Sequence, residues 1–333
     1  MDIQLSAQQQ AVVDCNEPRI VVKACPGSGK TFSVAARMAR LLRENNLSRH
    51  QGIAAISFTN TACDVIKKEL KETFGYPNVS YPSFIGTIDS FINTYIFLPY
   101  AHLVMGCDCR PEIVGTEFNK WFDYDPTQTR YIRGKHGEKI ITSRDANYYF
   151  DLISFGLNDQ LLRLAPYHAY HFGKADWENP NKKDGSPKKI ISELKEMKWK
   201  HFNAGKVNQA DAIYFTFRIL DKYPSIAQNI VRRFPILIID EAQDTTELQM
   251  AIIDKLSQCG AESIMLIGDP DQAIFEWNTA NPHLFMEKYN NPNWHSLDLS
   301  ENRRSSEKIC QLANHFSGNT MISIANDKDC AEN

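Results

Sequence analysis

Apolar residues in this chain occur in short runs, each followed by a polar loop and then by an amphipathic segment. Behind the first run, Val34 and Met38 fall on one helical stripe, and behind the third run Ile252 and Leu256 do the same. Strands that are apolar on both faces and alternate with helices are typical of a parallel sheet covered by helices. The pattern therefore predicts an α/β fold whose candidate strands are residues 20–22, 53–58, 235–239 and 263–267.

The alternation stops between residues 99 and 207, where the chain is aromatic, basic in patches and rich in turn-forming residues. We interpret 99–207 as a mainly α-helical insertion in an α/β domain formed by 1–98 and 208–300. Residues 182–206 contain eight lysines and three acidic residues, and a second basic patch surrounds Tyr131. Such patches fit contact with a DNA backbone, but each is equally compatible with a solvated surface.

Composition and charge exclude several classes of protein. No apolar run approaches the roughly 20 residues of a membrane-spanning helix, and the first residues do not resemble a secretory signal. We therefore expect a cytoplasmic protein without membrane contact. A net charge of −3 and a pI near 6.3 mean that any nucleic-acid surface has to be local. The eight cysteines favour free thiols, and the CxC pair Cys107 and Cys109 is too small a set for structural zinc.

A loop of small residues joins the first apolar run to its helix, since residues 20–31 have the sequence IVVKACPGSGKT. Backbone N–H groups in such a loop, with a helix N-terminus behind them, form a cradle for phosphate oxygens. In this pattern Lys30 reaches the β- and γ-phosphates, and the hydroxyl of Thr31 binds Mg²⁺. The sequence predicts an ATP and Mg²⁺ site whose loop residues are Cys25, Pro26, Gly27, Ser28 and Gly29.

Two carboxylates follow the third apolar run, in the sequence ILIIDEAQD of residues 236–244. Asp240 is placed to hold the metal, directly or through water, and Glu241 to orient and deprotonate the attacking water. An Asp-Glu pair after a strand can also be a solvated turn. The phosphate loop in the same chain favours the catalytic interpretation.

The fourth run leads into residues 268–277, which have the sequence GDPDQAIFEW. An amide, Gln272, stands close to two aromatic residues, Phe275 and Trp277. A phosphate-sensing group beside rings that stack on bases suggests one loop that serves both nucleotide and nucleic acid. Taken alone, each of these rings is better explained by core packing.

In seven segments, together spanning nearly the whole chain, the sequence resembles the UvrD/Rep family of superfamily 1 DNA helicases in order and spacing. The segments are LSAQQQAVV (5–13), ACPGSGKT (24–31), SFTNTACDVI (57–66), GTIDSF (86–91), IIDEAQD (238–244), GDPDQAIFEWNTA (268–280) and LSENRRSS (299–306). The resemblance implies a RecA-like P-loop domain. It also implies an enzyme that couples ATP hydrolysis to 3′–5′ movement on single-stranded DNA.

The resemblance assigns roles toward the nucleotide. It implies that Gln9 reads the adenine edge and that Arg37 packs near the base. Arg303 stands where the family has a tyrosine that stacks on adenine, and its guanidinium can stack instead. Gln272 matches the γ-phosphate sensor. Arg304 matches an arginine finger that neutralises charge on the transferred phosphoryl group.

The resemblance also implies a set of contacts with single-stranded DNA, or with a junction of single- and double-stranded DNA. The residues in this set are Phe58, Thr59, Asn60, Thr87, Phe275 and Trp277. Two departures from the family motifs weaken the expected DNA binding. Asp89 replaces a histidine of the GTxHSF motif, and Asn278 replaces the arginine that usually follows the tryptophan.

The family motor has a second RecA-like domain, and residues 301–333 are expected to be its beginning. We expect the isolated chain to bind ATP but to hydrolyse it slowly. The GTxDxF form of the segment at 86–91 also resembles compact helicases of two-gene anti-phage systems, which implies an OLD-type nuclease as a partner. DNA repair or phage defence is the expected setting.

A second class of function fits the same motifs: an ATP-gated DNA-binding module that recruits a nuclease without unwinding DNA. A kinase or ABC-type ATPase is disfavoured, because the chain has no LSGGQ-like signature and the aromatic-rich loop would have no explanation.

Overall fold

The computed structural model describes residues 4–44, 46–77, 79, 81–114, 132–133, 139–141, 153–163, 195, 198–273, 281–317 and 320–325. The strands in these residues are β1 (Arg19–Ala24), β2 (Ile53–Ser57), β3 (Phe84–Thr87), β4 (Glu112–Ile113), β5 (Ile132–Arg133), β6 (Lys139–Ile141), β7 (Ile153–Phe155), β8 (Leu161–Arg163), β9 (Lys206–Val207), β10 (Ile236–Ile239), β11 (Ser263–Gly268), β12 (His295–Leu299), β13 (Glu301–Asn302) and β14 (Ile322–Ser323).

The α-helices whose two ends lie within the described residues are α1 (Ala7–Asp14), α2 (Lys30–Glu44), α3 (Asn60–Glu72), α4 (Ile88–Ile92), α5 (Leu98–Tyr100), α6 (His102–Met105), α7 (Gln209–Lys222), α8 (Pro224–Arg233), α9 (Glu247–Gln258), α10 (Pro282–Tyr289) and α11 (Glu307–Phe316). A π-helical segment covers Asn93–Phe97, and short 3₁₀ helices cover Ala242–Asp244 and Pro270–Gln272.

A six-stranded sheet in the order β12-β1-β11-β10-β2-β3 forms the framework, and every pair of neighbours in it is parallel. Its four inner strands are the four predicted apolar runs, so the predicted α/β fold with a parallel sheet is confirmed. The sheet and helix α2 share one core, in which Ile20, Val34 and Met265 are fully buried. Because the strands are parallel, their carboxyl ends all lie at one edge, where ligands bind in open α/β sheets.

The described residues fall into two compact units. Those within 1–91, 223–276 and 280–333 form the first unit, which contains the sheet, and those within 92–222 form the second. The described part of the second unit has short strands as well as helices, and much of the interval 99–207 lies outside the described residues. The mainly helical insertion and the assignment of 301–333 to another RecA-like domain therefore stay predictions.

No helix among the described residues is both long enough and apolar enough to cross a bilayer. Among the same residues, no group of three or more His, Cys, Asp or Glu side chains is arranged to hold a metal ion.

Candidate nucleotide-binding site

The loop between β1 and α2 has a backbone that only glycine accommodates at two positions. Gly27 and Gly29 have φ values of 70° and 77°, in the left-handed region. A Cβ atom on Gly27 would lie 2.9 Å from the Cβ of Arg304, and one on Gly29 would lie 2.7 Å from Nε2 of Gln9. The backbone conformation favours glycine at both positions, and at Gly27 the space does so too; the loop curls tightly in front of the N-terminus of α2, as a phosphate cradle requires.

The side chains of two other loop residues face the protein. Ser28 Oγ donates a hydrogen bond of 2.8 Å to the carbonyl oxygen of Cys25. Cys25 is buried against Cys310 and Met321, and burial raises the pKa of its thiol to about 11. Contacts of Cys25 and Ser28 with a phosphate would therefore be made through the backbone.

The segment after β12 packs on this loop and brings two arginines beside it. The amide of Asn302 donates to the carbonyl of Pro26 at 2.7 Å, and its Oδ1 accepts from the backbone N–H of Arg304 at 2.8 Å. The backbone N–H of Arg303 donates to the carbonyl of Gly27 at 3.0 Å. The side chains of both arginines are exposed, and their contacts with a nucleotide stay predictions. Asn302, which fixes this segment, was not among the predicted site residues.

The predicted phosphate, metal and catalytic residues meet at the carboxyl edge of the sheet. Lys30 Nζ donates to a carboxylate oxygen of Glu241, which makes an ion pair across 211 positions of the chain. Next to it, Thr31 Oγ1 donates to Asp240 Oδ2 at 3.3 Å. Two motifs that are far apart in sequence therefore form one site.

Asp240 has the properties expected of a metal ligand. Its side chain is fully buried, and it accepts a 3.0 Å hydrogen bond from the backbone N–H of Glu241. Burial raises the pKa of Asp240 to about 6; the carboxylate of Glu241 adds to this shift, and the ammonium of Lys30 opposes it. A divalent cation would relieve the cost of burying this charge, and a hydroxyl with a carboxylate is a donor set that suits Mg²⁺. Thr31 and Asp240 thus fit the predicted metal.

The backbone and two side chains hold Glu241 in place. Its φ and ψ of 57° and 37° lie in the left-handed region, which is uncommon outside glycine. Besides Lys30, the carboxylate accepts a hydrogen bond of 2.8 Å from Nε2 of Gln243. The same nitrogen of Gln243 also donates to Oδ2 of Asp244 at 3.4 Å, and burial together with the charge of Glu241 raises the pKa of Asp244 to about 6. Gln243 and Asp244 belong to the motif, but the sequence assigned them no role.

The loop after β11 begins next to these carboxylates. The backbone N–H of Asp269 donates to Oε1 of Gln243 at 3.0 Å. Gln272 donates from Nε2 to Oδ2 of Asp269 at 2.5 Å, so its amide is held within its own loop. A contact of Gln272 with a γ-phosphate stays a prediction. Phe275 and Trp277 lie outside the described residues.

Gln9 lies against the phosphate loop. It is buried, its Nε2 donates to the carbonyl of Ser28 at 3.2 Å, and its Oε1 accepts from the N–H of Ser6 at 3.2 Å in the N-terminal cap of α1. Phe32, in the first turn of α2, packs its ring against that of Phe74, with 5.6 Å between the two centroids. The adenine contact of Gln9 stays a prediction.

The side chain of Arg37 is buried against the C-terminal end of α1. Its side chain is 1% exposed, and Nη1 donates to the carbonyls of Val12, Val13 and Cys15 at 3.0, 3.3 and 2.5 Å. These carbonyls are at the C-terminal end of α1, where backbone oxygens have no partner within the helix. Arg37 thus ties α2 to the end of α1, and its predicted packing near the base stays a prediction.

Arg37→Met is therefore expected to lower the free energy of unfolding by about 2–3 kcal/mol, because buried carbonyls lose a charged donor. Chemical denaturation of the variant measures this. Arg40→Met is the matched control, since Arg40 makes its ion pair with Glu44 near the surface and its loss should cost under about 1 kcal/mol. Unchanged stability together with weaker ATP binding in the Arg37 variant would instead support contact with the base.

The described members of the predicted DNA-contacting set lie at the same edge of the sheet. Phe58 follows β2 and is partly exposed, whereas Thr59 and Asn60 are exposed at the start of α3. Thr59 caps that helix by accepting from the N–H of Ala62 at 3.2 Å. Thr87 ends β3, and its hydroxyl donates to a serine one turn later. Their contacts with DNA stay predictions.

Comparison with known proteins agrees with this arrangement. The sequence matches the family model of the UvrD/REP helicase N-terminal domain over residues 5–293. Over 93% of its length it is 24% identical to the ATP-dependent DNA helicase PcrA of Bacillus subtilis and 26% identical to DNA helicase II of Escherichia coli, covering 39% and 40% of those proteins. The chain thus spans about two fifths of the length of these curated relatives.

A shorter match links the chain to part of an ATP-dependent helicase/nuclease. Over 124 residues, 35% of the chain, it is 30% identical to one polypeptide of the ATP-dependent helicase/nuclease of Natranaerobius thermophilus, and it covers 10% of that polypeptide. The family match extends over most of the chain and includes the phosphate loop, the paired carboxylates and five of the six strands of the sheet, all but β12, so the predicted RecA-like P-loop fold is confirmed. The chain belongs to the UvrD/REP helicase family and contains its N-terminal domain.

Proposed function

We propose that this chain is the ATPase module of an enzyme that couples ATP hydrolysis to 3′–5′ movement along single-stranded DNA. The observation that supports it best is the meeting of Lys30 with Glu241 and of Thr31 with Asp240 at one edge of the sheet. This set combines a phosphate-binding cation, a metal site and a general base, which are the parts that ATP hydrolysis requires.

The ion pair between Lys30 and Glu241 gives the first step of a mechanism. When ATP enters the loop, its phosphates attract the ammonium of Lys30 and release the carboxylate of Glu241. Glu241 is then free to accept a proton from the attacking water. Arg304, beside the loop, neutralises the charge that develops on the phosphoryl group. Mg²⁺ supplies charge neutralisation on the phosphate oxygens when bound, and Thr31 and Asp240 are the residues that would hold it.

Residues at the same edge are proposed to carry the DNA. Phe58 follows β2 and Thr87 ends the neighbouring strand β3. By the family resemblance, Phe275 and Trp277 are proposed to provide further rings for stacking. Stacking of bases on aromatic rings contributes roughly 1–3 kcal/mol per base and tolerates any sequence. Single-stranded DNA and its junction with duplex DNA are the proposed substrates.

The proposed setting is DNA repair or phage defence in the cytoplasm. The GTIDSF segment, residues 86–91, supports defence through its resemblance to helicases that act beside an OLD-type nuclease. A nuclease partner is therefore part of the proposal.

The test of the function is binding of a fluorescent ATP analogue with Mg²⁺ and of a single-stranded oligonucleotide to the chain. Lys30→Ala is expected to weaken analogue binding about 10- to 100-fold, because a hydrogen bond to a charged group contributes roughly 1.5–3 kcal/mol. DNA binding without nucleotide should be unchanged. Lys67→Ala, which removes an exposed lysine from α3, is the control. The proposal is contradicted if wild type, Lys30→Ala and Lys67→Ala bind the nucleotide equally well, or if the wild type does not bind DNA.

A further inference from the structure

Gln243 is a buried side chain that connects two parts of the site. Its exposed fraction is 1%, and both ends of its amide are engaged. Nε2 donates to Oε2 of Glu241 at 2.8 Å and, less closely, to Oδ2 of Asp244 at 3.4 Å, and Oε1 accepts from the backbone N–H of Asp269 at 3.0 Å. One amide therefore joins the proposed general base to the first residue of the loop after β11.

The C-terminal end of strand β11 leaves space for the side chain of Gln243. Gly268 is the last residue of β11, and a Cβ there would lie 2.5 Å from Oε1 of Gln243 and 3.0 Å from its backbone nitrogen. Only glycine leaves room for the side chain of Gln243 at this point. The connection continues beyond Asp269, whose carboxylate accepts from Nε2 of Gln272 at 2.5 Å.

The contacts of Gln243 with Glu241 and Asp269 suit an amide side chain. The group must donate to a carboxylate at one end and accept from a backbone N–H at the other. A glutamate keeps the acceptor and loses the donor, and leucine has neither. A buried polar group that is satisfied on both sides fixes the orientation of its partners.

We infer that Gln243 is a positioning residue that couples the orientation of the Glu241 carboxylate to the position of the loop that begins at Asp269. This inference rests on the proposed function. A shift of that loop, as on DNA binding, moves the acceptor end of Gln243 and with it the hydrogen bond that orients Glu241. DNA would thus act on hydrolysis through Gln243, apart from any contact of Gln272 with the nucleotide.

The experiment compares wild type, Gln243→Leu and Gln243→Glu in single-turnover ATP hydrolysis, with and without a single-stranded oligonucleotide. Both variants are expected to bind the fluorescent ATP analogue within about threefold of wild type and to hydrolyse ATP about 10- to 100-fold more slowly, the penalty typical of a misplaced catalytic group. The stimulation by DNA should fall to near unity in Gln243→Leu. Gln243→Glu has nearly the same volume and keeps the bond to Asp269, so it tests the Glu241 contact if the leucine variant does not fold.

Gln249→Leu is the matched control, because Gln249 is a buried glutamine that serves only the N-terminal cap of α9 among the contacts described. Gln249→Leu should have a lower free energy of unfolding, and the ratio of its hydrolysis rates with and without DNA should equal that of wild type. A wild-type hydrolysis rate in both Gln243 variants overturns the inference. If Gln243→Leu hydrolyses ATP slowly but is still stimulated by DNA as strongly as wild type, the proposed coupling between the loop and Glu241 is overturned. If DNA does not stimulate even the wild type, the proposed function fails, and the hydrolysis rates alone then decide whether Gln243 positions Glu241.

Discussion

Glu241→Gln is expected to slow ATP hydrolysis by about 10²–10⁴-fold, the contribution typical of a general base. The amide has nearly the shape of the carboxylate but cannot accept a proton from water. Binding of ATP should be equal or tighter, because Lys30 no longer has to leave an anionic partner before it meets the phosphates. Single-turnover hydrolysis of labelled ATP, with the protein in excess, measures the chemical step even when turnover is slow.

Glu247→Gln is the control for this variant, since Glu247 is an exposed glutamate in the first turn of α9 and its loss should leave hydrolysis unchanged. A rate within about threefold of wild type for Glu241→Gln would assign the base to another residue. The variant also separates the two classes of function. Biological activity that survives without hydrolysis would favour a binding module that recruits a nuclease over a motor.

The inner sheet was predictable because its strands are buried on both faces, which leaves an uninterrupted apolar signal. The two edge strands carry less of that signal. β12 has the sequence HSLDL, in which three of the five residues are polar, and β3 is partly exposed along its whole length. Both were missed for the same physical reason: an edge strand has neighbours on one side only, so its sequence needs fewer apolar residues.

Within the site, the residues that a short motif specifies could be predicted, and the residues that connect motifs could not. Lys30 and Glu241 belong to segments with a local pattern, and the structure brings them together. Gln243 meets Asp269 across 26 positions, and Asn302 meets Pro26 across 276. Such hydrogen bonds depend on which loops the sheet places side by side, which no spacing in the sequence encodes.

The position of Arg37 in the helical repeat of α2 is a local signal that its side chain is buried. It stands three residues after Val34 and one before Met38, so it lies beside the stripe of α2 that the helical period had already assigned to the core. An arginine in that position needs buried acceptors, and the carbonyls at the end of α1 provide them. The family resemblance implies that Arg37 packs near the base, which stays a prediction, and the helical face adds that its side chain is buried in the interior.

Lys198→Met is expected to lower the free energy of unfolding of the second unit by about 3–5 kcal/mol, as when one partner of a buried ion pair is removed. Lys198 and Asp211 are both fully buried, and Nζ donates to Oδ2 at 2.5 Å. Asp211 also accepts from Oγ of Ser154 at 3.0 Å and from the N–H of Asn208 at 3.0 Å. Two neutral donors cannot replace the lysine charge. Hydrogen exchange of amides in α7 reports the stability of this unit separately from that of the sheet.

Lys200→Met is the control, because it removes an exposed lysine two residues away and should change stability by under about 0.5 kcal/mol. The double variant Lys198→Met with Asp211→Asn should recover most of the loss. In the double variant, the amide oxygen at position 211 still accepts from the N–H of Asn208, and no charge remains buried without a counter-charge. A single variant that costs under about 1 kcal/mol would contradict the argument, as would a double variant no more stable than the single one, since either result would mean that Asp211 is not a buried carboxylate that depends on Lys198.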